Sequence, residues 1–356
     1  MKFIESVNWP IFLVSLSLVS IGILVIYSSS PELAFQQFIY TIVGLILFLF
    51  ISHLDLHSIR KLINPLFFLT ILLLIVVLVL GVETRGSVRW IPLGFFNIQP
   101  SEFAKPVILL FIASFWAKSI SSWTNIFKSL FLISPILFLV FIQPDLGSTL
   151  TLVSIWVGIL FVSRVSVKKI IVLILIAALV IPVGWTFLRD YQKQRIVGFL
   201  NPQTDPLGRG YNLIQSTIAV GSGEILGRGL GRGTQSRLQF LPEFRTDFIF
   251  ASIAEEWGFL GCFVILSLYM YLLVFFLRLA SQIDDNFSFL IIIGVFSMLL
   301  FQVFVNVGMN IGIVPITGIT LPLISYGGSS LIVTFVCLGL VASVAKARAR
   351  IDTEAY

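Results

Sequence analysis

One acidic residue of this chain stands where an arginine-rich segment gives way to a long apolar one. Asp247 follows Arg245 and Thr246 and precedes Phe248-Ile249-Phe250. A carboxylate at the start of a helix can serve simply as its N-cap. A carboxylate at the boundary between apolar surroundings and water can also accept a proton from a reacting hydroxyl group. Asp247 is therefore our candidate for a general base.

A second set of polar residues opens or interrupts other apolar segments. Glu102 and Lys105 are three residues apart, so on a helix they share a face and can form an ion pair. Ser101 could cap that helix, and Asp145 could cap the helix that follows Pro144. We expect Glu102, Lys105 and Asp145 to border a polar cavity that binds substrate, although capping and packing alone could also account for them.

Arginine is concentrated between residues 189 and 246, where it could hold an anionic group at the membrane surface. A glycine-rich segment within this region, residues 221–233, carries Arg228 and Arg232, and its backbone could wrap a phosphate. It does not match a nucleotide-binding loop, because no βαβ strand precedes it and no Lys-Ser/Thr pair closes it. The sequence does not choose among four candidate anion-binding residues: Arg89, Arg195, Arg209 and Arg237.

The elements that would position these residues are membrane helices. The 356-residue chain is 58% hydrophobic and only 11% charged, against roughly 25% charged in soluble domains. Apolar runs of about 20 residues recur, and each is long enough to cross roughly 30 Å of hydrocarbon as a helix. We predict an all-α integral membrane protein, a single polytopic domain over residues 1–356 with about ten transmembrane helices. Their approximate positions are 10–28, 37–53, 65–81, 101–117, 127–142, 147–163, 169–188, 247–278, 286–313 and 328–345.

Lysine and arginine in the short connections predict the orientation of these helices. One set of connections carries many of them, including Arg60, Lys118 and Arg278, so we expect that side to be the cytoplasm, with both termini there. Two larger loops, about 82–100 and 189–246, then lie outside, the second between predicted helices seven and eight. Nucleic acid is not an expected partner despite the net charge of +6, because no basic soluble domain exists to bind it.

Three amides recur every four residues along the ninth predicted helix: Gln302, Asn306 and Asn310. Polar side chains of this kind commonly join membrane helices by hydrogen bonds, and we predict that role here. Cys262 and Cys337 lie inside apolar runs and show neither a disulfide framework nor the spacing of metal ligands.

These segments together resemble the SEDS family (shape, elongation, division and sporulation). The resembling motifs run through nearly the whole chain in the family's order: Arg89-Trp90-Ile91-Pro92-Leu93-Gly94, Gln99-Pro100-Ser101-Glu102 with Lys105, Gln143-Pro144-Asp145-Leu146-Gly147, Gly233-Thr234-Gln235-Ser236, Leu241-Pro242-Glu243, Thr246-Asp247-Phe248-Ile249-Phe250-Ala251 and Pro315–Ser330. Each motif alone is weak, whereas the ordered set is very specific.

Within the family, the stretches at 143–147 and 233–236 resemble the elongation member more than the division member. Thr320 is evidence against the elongation member, since that member often has proline at this position. Arg245 stands where the family usually has histidine.

The resemblance implies a peptidoglycan glycosyltransferase that polymerises lipid II at the outer face of the bacterial cytoplasmic membrane, for cell elongation and rod shape. It implies a class B penicillin-binding protein as the cross-linking partner, within the elongation machinery, and Asp247 as the catalytic aspartate. Arginine and lysine side chains could stabilise the departing diphosphate, with or without a divalent cation such as Mg²⁺ or Mn²⁺.

Other functions remain open at the level of sequence. A flippase or transporter for the lipid-linked precursor would also need buried charges and about ten helices. The acidic residues in or beside the predicted spans cluster toward one side, which favours chemistry at a surface over alternating access. A non-catalytic scaffold for the cross-linking enzyme would not need Asp247, and a division paralogue would share the chemistry.

Overall fold

The computed structural model describes residues 8–84, 87–92, 97–238 and 240–354. Long helices dominate these residues, and three short strands and a 3₁₀ turn at Pro202–Thr204 accompany them. In chain order the elements are α1 (Trp9–Ser29), α2 (Pro31–Ser52), α3 (Leu56–Leu80), β1 (Val82–Thr84), β2 (Ser87–Pro92), β3 (Asn97–Ile98), α4 (Pro100–Trp116), α5 (Trp123–Ile142), α6 (Leu146–Val162), α7 (Val167–Phe187), α8 (Asp190–Leu200), α9 (Tyr211–Ser222), α10 (Thr234–Arg237), α11 (Ile249–Ala280), α12 (Asn286–Asn310) and α13 (Gly328–Glu354).

Eight of the described helices are long and apolar enough to cross a membrane: α1, α2, α3, α5, α7, α11, α12 and α13. Two helices of 17 residues, α4 and α6, belong to the same bundle and pack against each other and against α12. The predicted all-α membrane architecture with about ten spans is therefore confirmed.

Two predicted helix starts were too late along the chain. The structure begins α2 at Pro31 and α3 at Leu56, where we predicted 37 and 65. Helix starts are set by capping and by proline in the first turn, whereas hydropathy registers only the apolar part. Ser30, for example, accepts a hydrogen bond from the amide of Leu33 at 3.5 Å. Polar first turns are therefore invisible to a search for apolar runs.

The centre of the bundle is formed by α4 and α12, most of whose side chains are buried. The last helix, α13, packs along α2, and α1 packs against both α2 and α11. By contrast, α7 has no buried residue among its described ones. It therefore stands at the edge of the bundle.

The helix α11, with 32 residues, is too long for a single straight span, and the structure breaks it at Gly258. This residue has φ 67° and ψ −163°, a backbone conformation that only glycine adopts readily. The part before the break is buried almost completely, and the part after it is long enough to cross the membrane. A break at membrane depth frees backbone groups that lipid cannot satisfy.

The glycine-rich segment 221–233 satisfies these groups. The carbonyls just before the break accept hydrogen bonds from the amides of Arg228 and Gly229, both at 2.9 Å. The amides just after it donate to the carbonyls of Glu224 and Ile225, at 2.9 and 3.1 Å. The hypothesis that this segment wraps a phosphate is not supported, because its backbone completes a membrane helix instead.

Both predicted loops contain regular structure. In the first, the strands β1, β2 and β3 form a three-stranded antiparallel sheet of order β1-β2-β3, in which Val82 pairs with Trp90 and Ile91 pairs with Ile98. The loop 189–246 contains α8, α9 and α10. Both lie at the end of the bundle where α1 ends and α4, α6 and α11 begin, which we call the site end.

Candidate active site

Asp247 lies in the turn that leads into α11 at the site end, and its side chain is half-buried. The alternative that it is a helix N-cap is wrong, because α11 begins at Ile249 with Phe248 at the N-cap position. The backbone carbonyl of Asp247 accepts hydrogen bonds from the amide groups of Asn306 and Asn310, at 3.0 and 3.1 Å. These two bonds bind the backbone of the Asp247 turn and do not involve its carboxylate.

The two asparagines have the role predicted for the amide stripe on α12, whereas the side-chain oxygen of its third member, Gln302, is buried without a hydrogen-bond partner among the described residues. Asn306 donates a second hydrogen bond to the carbonyl of Ile319 at 2.7 Å. Asn310 accepts one from the backbone amide of Ala251 at 3.0 Å. Because a buried amide without partners is costly, these bonds fix α12 to the Asp247 turn and to the loop after α12.

That loop, Pro315–Tyr326, holds the residues just before Asp247 as well. The carbonyl of Arg245 accepts a hydrogen bond from the amide of Tyr326 at 2.9 Å. The carbonyl of Thr246 accepts one from the hydroxyl of Ser325 at 2.6 Å. Three successive carbonyls ending at Asp247 are therefore each fixed by a hydrogen bond.

The same loop brings Asp247 beside an arginine at Gly318. A Cβ atom built on Gly318 would lie 3.5 Å from Asp247 Oδ2 and 3.5 Å from Arg195 Nη1. Gly318 has φ +77°, so its backbone adopts the left-handed conformation that glycine tolerates. A carboxylate and a guanidinium group thus flank the same glycine, and both lie near the space that a side chain at position 318 would occupy.

Arg195 is positioned by α8, which is docked onto the turn before α6. Tyr191 donates a hydrogen bond from its hydroxyl to the carbonyl of Pro144 at 2.8 Å. Tyr191 and Arg195 are four residues apart and therefore share a face of α8. The Arg195 guanidinium lies 5.7 Å from the centre of the Tyr191 ring, within the range of a cation–π contact.

Asp145 is the buried centre of that turn. One carboxylate oxygen accepts a hydrogen bond from the amide of Ser148 at 3.1 Å, so Asp145 caps α6 as predicted. The other accepts from Gln99 Nε2 at 2.8 Å and from the Ser101 hydroxyl at 2.9 Å. Ser101 therefore does not cap α4, as we expected, but joins α4 to Asp145. With both oxygens engaged, Asp145 has a structural function in the site.

Arg89 completes the same turn. Its guanidinium donates to the carbonyl of Gln143 at 2.9 Å and to that of Pro144, and lies 3.8 Å from Asp145 Oδ1. These contacts show that Arg89 stabilises the turn before α6. Of the four candidate anion-binding arginines, Arg89 is therefore already engaged with the protein.

Glu102 and Lys105 form the predicted ion pair one turn into α4. Lys105 Nζ lies 2.6 and 2.7 Å from the two carboxylate oxygens of Glu102. Glu102 is 6% exposed and Lys105 3%, so both charges are buried. Such a pair is weak as a source of stability, because removing two charges from water costs about as much as their attraction returns. Its retention here is compatible with a role in the site.

A direct contact joins α6 to the loop that carries Gly318. A Cβ atom on Gly147 would lie 2.9 Å from the Ile319 side chain and 3.2 Å from the carbonyl of Thr317. The structure therefore places Asp247, Arg195 and Asp145 around one loop, with the Glu102–Lys105 pair on the adjoining helix α4.

The order of the motifs along this bundle agrees with a known family. The model of the cell cycle protein family FtsW/RodA/SpoVE matches residues 7–350. The chain belongs to this family, the SEDS family. The resemblance stated from the sequence motifs is thereby confirmed.

Relatives of this SEDS chain include proteins named for cell-wall synthesis and sporulation. The peptidoglycan glycosyltransferase MrdB of Escherichia coli (strain K12) is 43% identical over 282 residues, which are 78% of this chain and 76% of that protein. Stage V sporulation protein E of Bacillus subtilis (strain 168) is 35% identical over 351 residues, 94% of this chain and 95% of that protein.

Solved structures share the fold. A chain from a structure that describes coordination of polymerization and crosslinking by a peptidoglycan synthase complex has a TM-score of 0.83 and 36% identity, and the match covers 96% of this chain and 98% of that one. The Thermus thermophilus rod shape determining protein RodA has a TM-score of 0.73 and 30% identity, covering 96% and 97%.

The two remaining candidate arginines of this SEDS chain are placed differently. Arg209 lies 4.0 Å from Asp205 and its side chain is half exposed. The side chain of Arg237 lies outside the described residues. Sequence reasoning missed Tyr191 and Gly318, since neither a lone tyrosine nor a loop glycine signals a site before the fold is known.

In the described part of the chain, no group of three or more His, Cys, Asp or Glu side chains converges as a metal site would require. A divalent cation used in catalysis would therefore be shared between one or two carboxylates and phosphate oxygens of the substrate, an arrangement common for Mg²⁺.

Proposed function

We propose that this chain is a peptidoglycan glycosyltransferase that polymerises lipid II into β-1,4-linked glycan strands for cell elongation. The predicted activity agrees with the name of the Escherichia coli relative, peptidoglycan glycosyltransferase MrdB. The observation that carries the proposal is the placement of Asp247 and Arg195 beside the same glycine, Gly318, which would combine a proton acceptor with a cation for a leaving diphosphate.

The residues fit a single displacement. The 4-hydroxyl of the acceptor sugar attacks the anomeric carbon of the donor, and its proton passes to the Asp247 carboxylate. The bond from that carbon to the lipid diphosphate breaks, and the diphosphate leaves with the electron pair. A positioned base typically supplies 10²–10⁴-fold in rate, and Arg195 would stabilise the charge on the departing group. Attack opposite the leaving group turns an α-linked donor into a β-linked product.

We further propose the orientation predicted from the sequence, with both termini in the cytoplasm and the site end outside. Several basic residues lie at the opposite end, where Arg60 pairs with Asp285 at 3.2 Å and Lys169 binds the carbonyl of Ser121 at 2.8 Å. Basic residues in short connections favour the cytoplasmic side. The chain would then act at the outer face of the bacterial cytoplasmic membrane.

A lipid-linked substrate must reach this site from the bilayer. The peripheral helix α7 ends next to α8, the helix that carries Arg195, and the described residues of α7 are not buried. An entrance beside α7 would let the lipid tail remain in the membrane while the sugars reach Asp247.

The proposed partner is a class B penicillin-binding protein, the transpeptidase that cross-links the product, together with other elongation proteins. Support comes from the synthase complex that coordinates polymerization and crosslinking, one chain of which shares this fold at 36% identity. Co-purification from native membranes in mild detergent tests this assembly, and absence of any transpeptidase from the complex would count against it.

The decisive experiment is polymerisation of purified lipid II by the purified chain in proteoliposomes, alone and with its transpeptidase. We expect glycan strands and release of undecaprenyl diphosphate. A flippase would instead move lipid II between leaflets without forming strands, and a scaffold would do neither. Absence of strands under all conditions, with the partner present, would contradict the proposed function.

A further inference from the structure

The residue that replaces the family's usual histidine has its own set of contacts. Arg245 stands two residues before Asp247, in the arginine-rich outer loop. Its location alone suggests that Arg245 is a further cation, beside Arg195, for the substrate diphosphate. The contacts of its guanidinium group lead to a different role.

The Arg245 side chain is bonded to the end of α1. Its Nε donates to the hydroxyl of Ser29 at 2.9 Å, and its Nη2 donates to the carbonyl of Ser29 at 3.2 Å. The guanidinium carbon lies 4.5 Å from the centre of the Phe244 ring. Ser29 is the last residue of α1, where helix carbonyls lack intrahelical partners and the helix dipole favours a positive charge.

The environment of Arg245 is partly closed to water. Burial lowers the pKa of its guanidinium group from the ordinary value, and the nearby Glu243 carboxylate acts in the opposite direction. Arginine stays protonated at neutral pH under such conditions. The positive charge of Arg245 therefore strengthens its hydrogen bonds to Ser29 at the end of α1.

A second contact joins α1 to the other flank of the Asp247 turn. The Ser28 hydroxyl lies 3.2 and 3.3 Å from the carboxylate oxygens of Glu256, in the buried part of α11 that follows the turn, and 2.8 Å from the carbonyl of Val25 in its own helix. The last two residues of α1 thus hold chain segments on both sides of Asp247. The backbone amide of Tyr326 and the side-chain amide of Asn306 also bind the turn, through the carbonyls of Arg245 and Asp247.

We propose that Arg245 is a positioning residue, which fixes the carboxylate of Asp247 for the transfer reaction by anchoring its turn to Ser29 at the end of α1. This inference rests on the proposed glycosyltransferase function. Misplacement of a catalytic group by about 1 Å can cost on the order of 10²-fold in rate, so loss of one of several anchors should have a moderate effect.

The test separates positioning from substrate binding by kinetics. Arg245→Ala should lower kcat for lipid II polymerisation by about tenfold and leave KM nearly unchanged, because the anchor does not touch substrate. Arg245→Lys should recover little of the loss, since an ammonium group cannot reproduce the two-point contact of the guanidinium with Ser29. Arg232→Ala, in an exposed arginine of the same loop, is the matched control and should be unaffected.

A double-mutant cycle with Ser29 completes the experiment. Ser29→Ala should lower kcat less than Arg245→Ala, since the Ser29 carbonyl remains, and the double variant should match Arg245→Ala alone. A raised KM with unchanged kcat, full activity of Arg245→Lys, or additive effects in the cycle would overturn the inference. Should Arg245→Ala fail to fold, Arg245→Lys and Ser29→Ala still decide it. Inactivity of the wild-type chain would instead count against the proposed function itself.

Discussion

Asp247 and Arg195 both flank Gly318: Oδ2 of the aspartate and Nη1 of the arginine each lie 3.5 Å from the position that a Cβ atom on this glycine would occupy. Arg195 belongs to α8 in the loop 189–246, and Asp247 lies in the turn that follows this loop and leads into α11. In the proposed function, the two residues provide a proton acceptor and a positive charge for a leaving diphosphate.

The first prediction concerns Arg195. Arg195→Gln should lower the rate of glycan formation by about 10²-fold, the usual effect of removing one donor that stabilises a developing charge. Arg209→Gln is the matched comparison, because Arg209 belongs to the same loop but lies beside Asp205. Initial rates of strand formation from lipid II measure both. Equal losses in the two variants would show that general loop charge, rather than Arg195, is what matters.

Gly318 itself should not tolerate a side chain. Gly318→Ala places an alanine at φ +77°, which costs about 1–2 kcal/mol, and adds a methyl group between Asp247 and Arg195. We expect reduced activity and a lower unfolding temperature. Gly327→Ala in the same region is the control, since a Cβ atom there meets only Ser330 at an ordinary 3.8 Å. Unchanged activity of Gly318→Ala would contradict the close approach described here.

The buried pair of Glu102 and Lys105 can be tested for function apart from stability. Lys105→Met should destabilise the protein by about 3–5 kcal/mol, because it leaves the buried Glu102 carboxylate uncompensated. The double variant Glu102→Leu/Lys105→Met should recover most of that loss in thermal unfolding. If the pair borders the substrate, the double variant should be inactive in lipid II polymerisation even though it is stably folded. Restored activity in it would make the pair purely structural.

The orientation can be tested by labelling single cysteines. Both native cysteines are buried, so their background reaction with a membrane-impermeant thiol reagent should be low. Leu207→Cys lies in the long loop and is 88% exposed in the native residue, while Ile120→Cys lies at the other end and is 82% exposed. We expect labelling of position 207 only from outside and of position 120 only from the cytoplasm. The reverse pattern would invert the topology.

Most helices of the bundle could be predicted, because a membrane helix requires a run of apolar residues that is visible in the sequence. The Glu102–Lys105 pair and the cap at Asp145 could be predicted too, since both depend on residues close in the chain. The break at Gly258 could not. A glycine inside an apolar helix is common, and only the partner segment 221–233, which binds the freed backbone groups, makes this one a break.

The assembly of the site lay beyond the sequence for the same reason. Ser101 has the residue type and position of an N-cap, yet its hydroxyl binds Asp145, 44 residues away. Asp247 likewise has the position of a cap, but the helix begins two residues later. The choice of Arg195 over Arg89 depends on tertiary contacts, which the spacing of arginines along a loop does not encode.

The central claim is that the carboxylate of Asp247 accepts the proton of the attacking hydroxyl. Asp247→Asn keeps the size of the side chain and leaves the bonds from Asn306 and Asn310 intact, because these bind the backbone carbonyl. The most direct measurement is therefore strand formation from lipid II by matched amounts of folded wild-type and Asp247→Asn protein. The account predicts a loss of about 10²-fold or more with partner binding retained. Wild-type rates from the asparagine variant would contradict it.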